Sequence, residues 1–494
     1  MTTEQQVHQP NKPHLTATLT LACLAQFMVI LDVSVVNVAL PSIKHALEFS
    51  ESGLQWVVNA YTVTFAGFLL LGGRAADLLG RRRVFVVGLV LFALASLAGG
   101  FSDSRSVLII ARLIQGLGGA VVAPASLSIL TSTSTEPSAR HRAIGIWGAM
   151  GGAGGAAGVL LGGILTQALS WRWILFINVP IGLVAAVVSQ RLLLEGRNEH
   201  ATRNFDFTGA LSATVGLSLL VFGIVRTDTS GWGDTTTLLT IFVGAGLLAL
   251  FIAIEGKLAK APLMPLRLFK SRQLSAANTI ILSVGAATFG MWFFFSLYLQ
   301  QVLHYSPLHT GLVFLPMTLL LMAGSMIASR ITLRVGPRRL LIAGMFVLAI
   351  GLALFTRLGV RADYLGQMLA PSVVTSFAMP FAFVPGVICA TAGVKPQEAG
   401  LASAVANTSR LFGGALGLAV LATLASSRSD SDLRHPTAAI HTANQALVNG
   451  FHLAFWVAAG IAIAGLAVAA FGMPRLRPAP ATEQQPTQQL AVEV

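Results

Sequence analysis

Apolar stretches long enough to cross a lipid bilayer recur along the sequence and restrict its fold more than any other feature. A spanning helix needs about 20 mostly apolar residues. We count fourteen such stretches, separated by short polar segments. Only 10% of the residues are charged, against about 25% in soluble domains. The sequence therefore predicts an all-α integral membrane protein. The predicted spans are 17–40, 54–73, 84–101, 106–130, 142–167, 173–193, 207–225, 237–255, 275–301, 310–330, 340–357, 365–390, 400–424 and 451–473.

Basic residues are distributed unequally between the two sets of loops. With the N-terminus in the cytoplasm, the cytoplasmic segments hold 22 of the 32 Lys and Arg residues, and the outer loops hold 8. Cytoplasmic loops of membrane proteins carry this excess, so both termini are predicted to be cytoplasmic. The net charge of +13 is explained by membrane topology, and no nucleic-acid partner is expected. The composition is typical of a high-GC bacterium, which indicates the cell (inner) membrane.

A weak internal repeat relates the two halves of the chain. "DLLGRRR" (77–83) precedes the third predicted helix, and "LRVGPRR" (333–339) precedes the eleventh. Two six-helix halves with an additional helix pair between them give this displacement of eight helices, and transporters are commonly built from such halves. The predicted organisation has five parts. They are a cytoplasmic tail (1–16), an N-terminal six-helix bundle (17–193), a linker with two extra transmembrane helices (194–273), a C-terminal six-helix bundle (274–473) and a disordered cytoplasmic tail (474–494).

Ionisable residues inside the predicted spans are rare. Asp32 lies in the middle of the first span, where a carboxyl group costs roughly 2.5–3.5 kcal/mol, so it is a functional candidate by default. It is interpreted either as a proton-coupling site or as a carboxyl paired with a neighbouring helix. Arg112 in the fourth span is interpreted as a buried cation beside Asp32 or as a side chain that reaches the membrane surface. Arg410 in the thirteenth span raises the same two alternatives.

Two glycine-containing segments have distinct interpretations. "GGRAADLLGRRR" (72–83) is either a purely topological basic loop or a charge lock between bundles, with Asp77 among four arginines. "GAGGAA" (152–157) is spelled like a dinucleotide-binding turn, but it is followed by no acid about 20 residues later and lies in an apolar span. Small residues four apart instead allow transmembrane helices to pack closely. Two cysteines inside apolar runs and scattered histidines predict no disulfide, metal site or cofactor.

Together these motifs resemble the fourteen-helix drug:proton antiporters of the major facilitator superfamily, over about residues 17–473. The resemblance rests on "LDVSVVNVALPSI" (31–43), "QWVVNAYTV" (55–63), the 72–83 loop, "RLIQGLGGA" (112–120), "GVLLGG" (158–163) and "WRWILFINVPIG" (171–182). The sequence departs from the family pattern at Leu78, Val159 and Leu333, where the motifs usually have a basic residue, a proline and an acid.

The resemblance implies the major facilitator fold and proton-driven efflux of a lipophilic small molecule by alternating access, without catalysis. Asp32 and Arg112 would couple protons to transport. Gly73, Asp77, Gly80 and Arg81 would form the cytoplasmic gate motif, and Gly158, Gly162 and Gly163 would belong to the antiporter motif. Because Val159 replaces the motif proline, a proton-coupled symporter or facilitator for a small metabolite remains the alternative.

Substrate contacts are less constrained by the sequence. A single central carboxylate favours neutral or mono-cationic substrates over dicationic ones. The expected partners are the substrate, protons and the lipid bilayer, and the protein is expected to be monomeric. Polar, aromatic or flexible residues on the spans are the candidates for a substrate cavity. They are Gln26, Asn59, Trp147, Trp292, Phe293, Gln300, Met317, Gln367 and Phe377.

Overall fold

The computed structural model describes residues 15–133, 136–196, 206–258, 262, 264, 266–392, 394, 399–434 and 443–474. Within these residues, fourteen helices are long and apolar enough to cross a membrane, which confirms the predicted number. Each overlaps its predicted span. The helices are α1 (Leu15–Leu47), α2 (Ser52–Leu79), α3 (Arg81–Gly100), α4 (Arg105–Thr133), α5 (Arg142–Ala168), α6 (Trp173–Leu192), α7 (Phe207–Asp228), α8 (Thr235–Lys257), α9 (Arg272–Val302), α10 (Pro307–Thr332), α11 (Pro337–Arg357), α12 (Tyr364–Thr391), α13 (Leu401–Arg434) and α14 (Ala443–Gly472).

Capping residues mark several helix starts. The side chain of Ser271 accepts a hydrogen bond from the backbone N–H of Leu274, and that of Ser306 accepts one from His309. Asp234 lies at the start of α8 and accepts a hydrogen bond from the backbone N–H of Thr237. This hydrogen bond lowers the pKa of Asp234 below its usual range, and the guanidinium of Arg226 lowers it further. These side chains satisfy N–H groups that have no partner in the first turn of a helix.

Several helix ends extend beyond their predicted spans, and the end of α13 extends furthest. The sequence placed the end of α13 near residue 424, but the helix continues to Arg434. Asn449 of α14 donates a hydrogen bond to Asp432 at 2.8 Å, and Arg428 pairs with the same carboxyl group at 3.1 Å. Polar partners therefore stabilise a helical segment that hydropathy alone does not mark.

The repeated loops have the same backbone conformation. Gly80 ends α2 with φ of +108°, and Gly336 follows α10 with φ of +88°. Glycine adopts this region without the clash that a Cβ atom causes. We call the end of the helices that carries residues 80–83, 266–272 and 334–339 the basic face, and the other end the opposite face.

The helices of each half pack through close backbone contacts at equivalent places. In the N-terminal bundle, α1–α6, α5 packs on α1, and a Cβ atom at Gly162 would lie 3.0 Å from the Cα atom of Val35. In the C-terminal bundle, α9–α14, Gly417 of α13 lies against the backbone of Ala286 of α9. The pair α9 and α13 follows the pair α1 and α5 by eight helices. This is the same offset that the repeated loop motifs indicate.

The additional helix α7 contacts both bundles. Near the middle of α2, Gly67 lies against the side chain of Thr214. Near the opposite face, Thr423 of α13 donates a hydrogen bond to the carbonyl of Ile224, and Ser426 donates one to Asp228 at 2.9 Å. α8 packs on the other side of α7, where Gly244 approaches the backbone of Leu220. The additional pair thus lies along the α2–α13 seam between the bundles.

Along α5 and α10, the two bundles meet from the opposite face to about the middle of these helices. A Cβ atom at Gly163 of α5 would lie 2.7 Å from the carbonyl oxygen of Pro307 of α10, and one at Gly152 would lie 3.0 Å from Met322. Closer to the basic face, a Cβ atom at Gly145 or Gly148 would meet no described atom within 4 Å. α5 and α10 therefore diverge toward the basic face.

Candidate functional site

Asp32 is completely buried in the N-terminal bundle and accepts hydrogen bonds from three side chains. Arg112 donates from Nη1 to Oδ2 at 2.6 Å. Gln115 and Asn178 both donate to Oδ1, at 2.7 and 2.9 Å. Ser96 accepts further hydrogen bonds from both amides, at 3.1 and 3.2 Å. We call these five residues the Asp32 network.

The guanidinium of Arg112 is held from several sides. Its Nε donates to the backbone carbonyl of Val57 at 3.0 Å, and Nη1 also donates to Gln115 at 2.8 Å. The ring of Tyr61 lies 4.5 Å from its central carbon, a distance typical of a cation–π contact. Arg112 is only 2% exposed. Its side chain is therefore buried in the bundle, and the alternative in which it reaches the membrane surface is wrong.

The Asp32 network connects five of the six helices of this bundle. Asp32 lies on α1, Ser96 on α3, Arg112 and Gln115 on α4, and Asn178 on α6, while α2 contributes the Val57 carbonyl. A buried ion pair is tolerated when additional hydrogen bonds satisfy both groups, and removing one partner leaves a buried charge uncompensated. Removing either charge would therefore alter contacts between several helices at once.

The sequence identified two members of the network and missed three. Gln115 stands in "RLIQGLGGA" and Asn178 in "WRWILFINVPIG", both of which were recognised as motifs without a role for these amides. A signal was present for Asn178, because an amide within an apolar span needs a hydrogen-bonding partner. Ser96 gave no comparable signal, since serine is tolerated in membrane helices when it bonds to the backbone. Its hydroxyl donates to the carbonyl of Leu175 at 2.8 Å.

The 72–83 segment, predicted as a loop, is helical except at Gly80, where α2 gives way to α3, and it forms ion pairs within the N-terminal bundle. Arg81 pairs with Asp77 at 3.2 Å. Arg82 and Arg83 each pair with Glu195 after α6 at 3.5 Å, an acid that the sequence did not single out. Ser128 of α4 also donates a hydrogen bond to Asp77 at 3.3 Å. Gly73 lies against Pro124 of α4, where a Cβ atom would be 3.4 Å away.

Gly80→Ala is expected to destabilise this loop by about 1–3 kcal/mol, because a non-glycine residue at positive φ is strained. The added Cβ atom would also lie 2.5 Å from the carboxylate of Glu195. Thermal unfolding of the purified variant measures the effect. Gly196→Ala, where a Cβ atom would meet no described atom within 4 Å, is the control and should unfold like the parent protein. Equal unfolding temperatures for Gly80→Ala and the parent would contradict the prediction.

The glycines of α5 pack on two different helices. A Cβ atom at Gly158 would lie 2.5 Å from the Cβ atom of Ser34, and one at Gly154 would lie 2.7 Å from the carbonyl of Phe27. Together with Gly162, they form a row four residues apart that packs on α1. Gly163 packs on α10 of the other bundle. The "GAGGAA" segment therefore lies between α1 and the C-terminal bundle, as expected for close helix packing.

Three of the residues proposed to line a cavity are buried inside the protein, so the prediction that they line a cavity is wrong for this conformation. Asn59 is 0% exposed and donates a hydrogen bond to Gln55. Phe293 and Met317 are each 1% exposed, and Phe293 packs edge-to-face on Phe294. Their side chains face neighbouring helices. The sequence could not predict this orientation, because an apolar span does not show which of its faces is buried.

The other cavity candidates lie at different depths. Gln26 faces Gly151 of α5, Trp147 donates a hydrogen bond to Ser126 at 3.1 Å, and the ring of Trp292 lies 5.1 Å from that of Phe314. Gln300 joins the bundles near the opposite face by donating to the carbonyl of Val38 at 2.8 Å.

Two candidates on α12 are exposed. Gln367 lies in the first turn of α12, close to the opposite face, so the prediction that it lines a central cavity is wrong. Phe377 is 37% exposed and packs on Phe381.

Two helix bundles that meet at one face and diverge at the other, with a buried carboxylate–guanidinium pair in one of them, define an integral membrane transporter. No group of three or more His, Cys, Asp or Glu residues that would hold a metal ion occurs in the described part of the chain. The chain belongs to the Major Facilitator Superfamily, whose family model matches residues 22–418 and 280–492.

Relatives and solved structures agree with this assignment. The chain is 43% identical to the cephamycin export protein CmcT of Amycolatopsis lactamdurans, over 83% of this chain and 85% of that protein. It is 38% identical to the puromycin resistance protein pur8 of Streptomyces alboniger, over 90% and 88%. A bacterial homologue of the human lysosomal transporter Spinster has the same fold, with a TM-score of 0.68 and 16% identity over 94% of this chain and 98% of that chain.

Proposed function

We propose that this protein exports an antibiotic-like small molecule across the bacterial inner membrane in exchange for protons. The observation that carries the proposal is the Asp32 network, which places a carboxylate with no exposed surface in the middle of a membrane span. The names of two relatives, a cephamycin export protein and a puromycin resistance protein, support export as the direction.

In this mechanism Asp32 carries the proton. When it is ionised, Arg112, Gln115 and Asn178 hold it by hydrogen bonds. Protonation removes the negative charge that compensates Arg112, so the contacts of the network rearrange. Because the network connects five helices, the rearrangement favours a different packing of the N-terminal bundle. A ligand or proton shifts such an equilibrium by its differential affinity for the two states.

Alternating access follows from the way the bundles meet. If the excess of basic residues lies inside, the basic face is cytoplasmic, and the divergence of α5 and α10 opens the space between the bundles to the cytoplasm. Substrate enters there. The opposite conformation would bring the basic-face halves together, with the 72–83 loop at the closing end. Both bundles belong to one chain, so a monomer suffices for the cycle.

Transport direction tests the proposal in cells. Expression in a bacterium that lacks its own efflux pumps is expected to lower accumulation of a susceptible antibiotic and to raise its inhibitory concentration. A protonophore should restore accumulation, because the proton gradient drives export. Higher internal concentrations of the compound in the expressing cells would contradict export and support the symporter alternative.

A further inference from the structure

Arg410 of α13 is a membrane-embedded cation without a carboxylate partner in the described part of the chain. Its Nε and Nη2 donate to a single acceptor, Oδ1 of Asn407, at 3.3 and 3.1 Å. The rings of Phe289 and Phe383 lie 5.7 and 5.6 Å from its central carbon. An arginine has five N–H donors, so the donors of Nη1 remain available for another acceptor.

The position of Arg410 places it beside the space between the bundles. The next residue, Leu411, is buried in an apolar cluster whose other buried members belong to the N-terminal bundle. Phe289 packs against the same cluster. The side chain of Arg410 stays partly accessible, although it lies about three turns into α13. Its contact with Phe289, which packs against that cluster, places the guanidinium beside the inter-bundle space.

The other charges in the middle of the membrane compensate each other. Asp32 and Arg112 form a buried ion pair with 0% and 2% exposure. Their pairing engages the carboxylate of Asp32, so this group is not free to attract a cationic substrate. Arg410 adds one positive charge at a partly exposed position beside the inter-bundle space. This arrangement favours an anionic substrate, in contrast to the expectation of neutral or mono-cationic substrates that a single central carboxylate suggests.

We propose that Arg410, Phe289 and Phe383 form a binding site for a lipophilic organic anion, with a carboxylate on the guanidinium and the apolar body against the two rings. Arginine binds carboxylates through parallel hydrogen bonds, and aromatic rings provide apolar contact area. This inference deepens the proposed function by naming the substrate class. It rests on the proposal that the protein transports small molecules.

Equilibrium binding to the purified protein in lipid nanodiscs tests the site without a proton gradient. The probes are fluorescein, an anion, and rhodamine 123, a cation with the same xanthene ring system, each followed by fluorescence anisotropy. The parent protein is expected to bind fluorescein about tenfold or more tightly than rhodamine 123. Arg410→Gln should weaken fluorescein binding about 10- to 100-fold, the range for a lost hydrogen bond to a charged group.

A second variant adds a competing charge and keeps the arginine. Asn407→Asp replaces the amide that Arg410 already contacts with a carboxylate. This carboxylate would pair with Arg410 and compete with an anionic ligand, so the variant should lose the preference for fluorescein. Arg330→Gln, at an exposed arginine near the end of α10, is the matched control and should bind both probes like the parent. Monodisperse size-exclusion profiles check the folding of each variant.

Several results would overturn this inference. They are equal affinities of the parent for both probes, a preference for rhodamine 123, or unchanged fluorescein binding by Asn407→Asp. If Arg410→Gln does not fold, two measurements still test the site: the affinities of the parent for the two probes, and fluorescein binding by Asn407→Asp. Proton-driven export is measured separately, so preferential fluorescein binding without proton-dependent transport would overturn the proposed function and leave the site intact.

Discussion

Asp32→Asn is expected to abolish efflux driven by a pH gradient in proteoliposomes. Asparagine keeps the shape of the side chain but cannot exchange a proton near neutral pH, so transport loses its coupling to the gradient. The substitution also leaves Arg112 buried without its carboxylate. Removing one partner of a buried ion pair costs about 3–5 kcal/mol, so the variant should also unfold at a lower temperature.

A double variant separates coupling from stability. Asp32→Asn with Arg112→Gln removes both charges, so it is expected to regain much of the lost unfolding temperature and still to show no gradient-driven efflux. Asp103→Asn, which changes an acid that is 89% exposed and pairs with Arg172, should keep both properties. Gradient-driven efflux by the double variant at the parent rate would show that Asp32 is not the coupling carboxylate.

Gly158→Leu is expected to lower the unfolding temperature strongly and to abolish transport. The row of Gly154, Gly158 and Gly162 brings α5 against the backbone of α1, and a Cβ atom at Gly158 already comes within 2.9 Å of the Leu31 carbonyl oxygen. Backbone cannot yield like a flexible side chain, so we expect a cost of about 3 kcal/mol, the upper part of the range for overpacked cores.

Gly148→Leu on the same helix is the matched control. A Cβ atom at Gly148 would meet no described atom within 4 Å, so this variant should keep the unfolding temperature of the parent. Leucine has a higher helix propensity than glycine, so both variants gain the same general stabilisation. Comparing their unfolding temperatures cancels this effect and leaves the effect of packing. Similar unfolding temperatures for the two variants would refute the close packing of α5 on α1.

The sequence predicted the number of helices because hydropathy depends only on local composition. Asp32 and Arg112 were also identifiable, since each is an isolated charge within an apolar span. Their pairing joins positions 80 residues apart, and the two amide donors come from α4 and α6. Which partners meet depends on the rotation of each helix about its axis. Apolar spans carry little information about that rotation.

The same limit explains the errors among the cavity residues. Phe293 and Met317 lie on helices that are apolar on all sides, so residue type did not distinguish a buried face from an accessible one. For Arg410 the sequence left two alternatives open. Its ring partners, Phe289 and Phe383, lie on two other helices, and only the spatial arrangement of these helices brings the rings and the guanidinium together.

The contacts of α7 have a consequence for movement during transport. This helix packs on α2 along much of its length, from Phe207 to Phe222, and is hydrogen-bonded to α13 near the opposite face. When one bundle rotates relative to the other, α7 cannot follow both as a rigid rod. It has to slide along one of its neighbours or tilt between them.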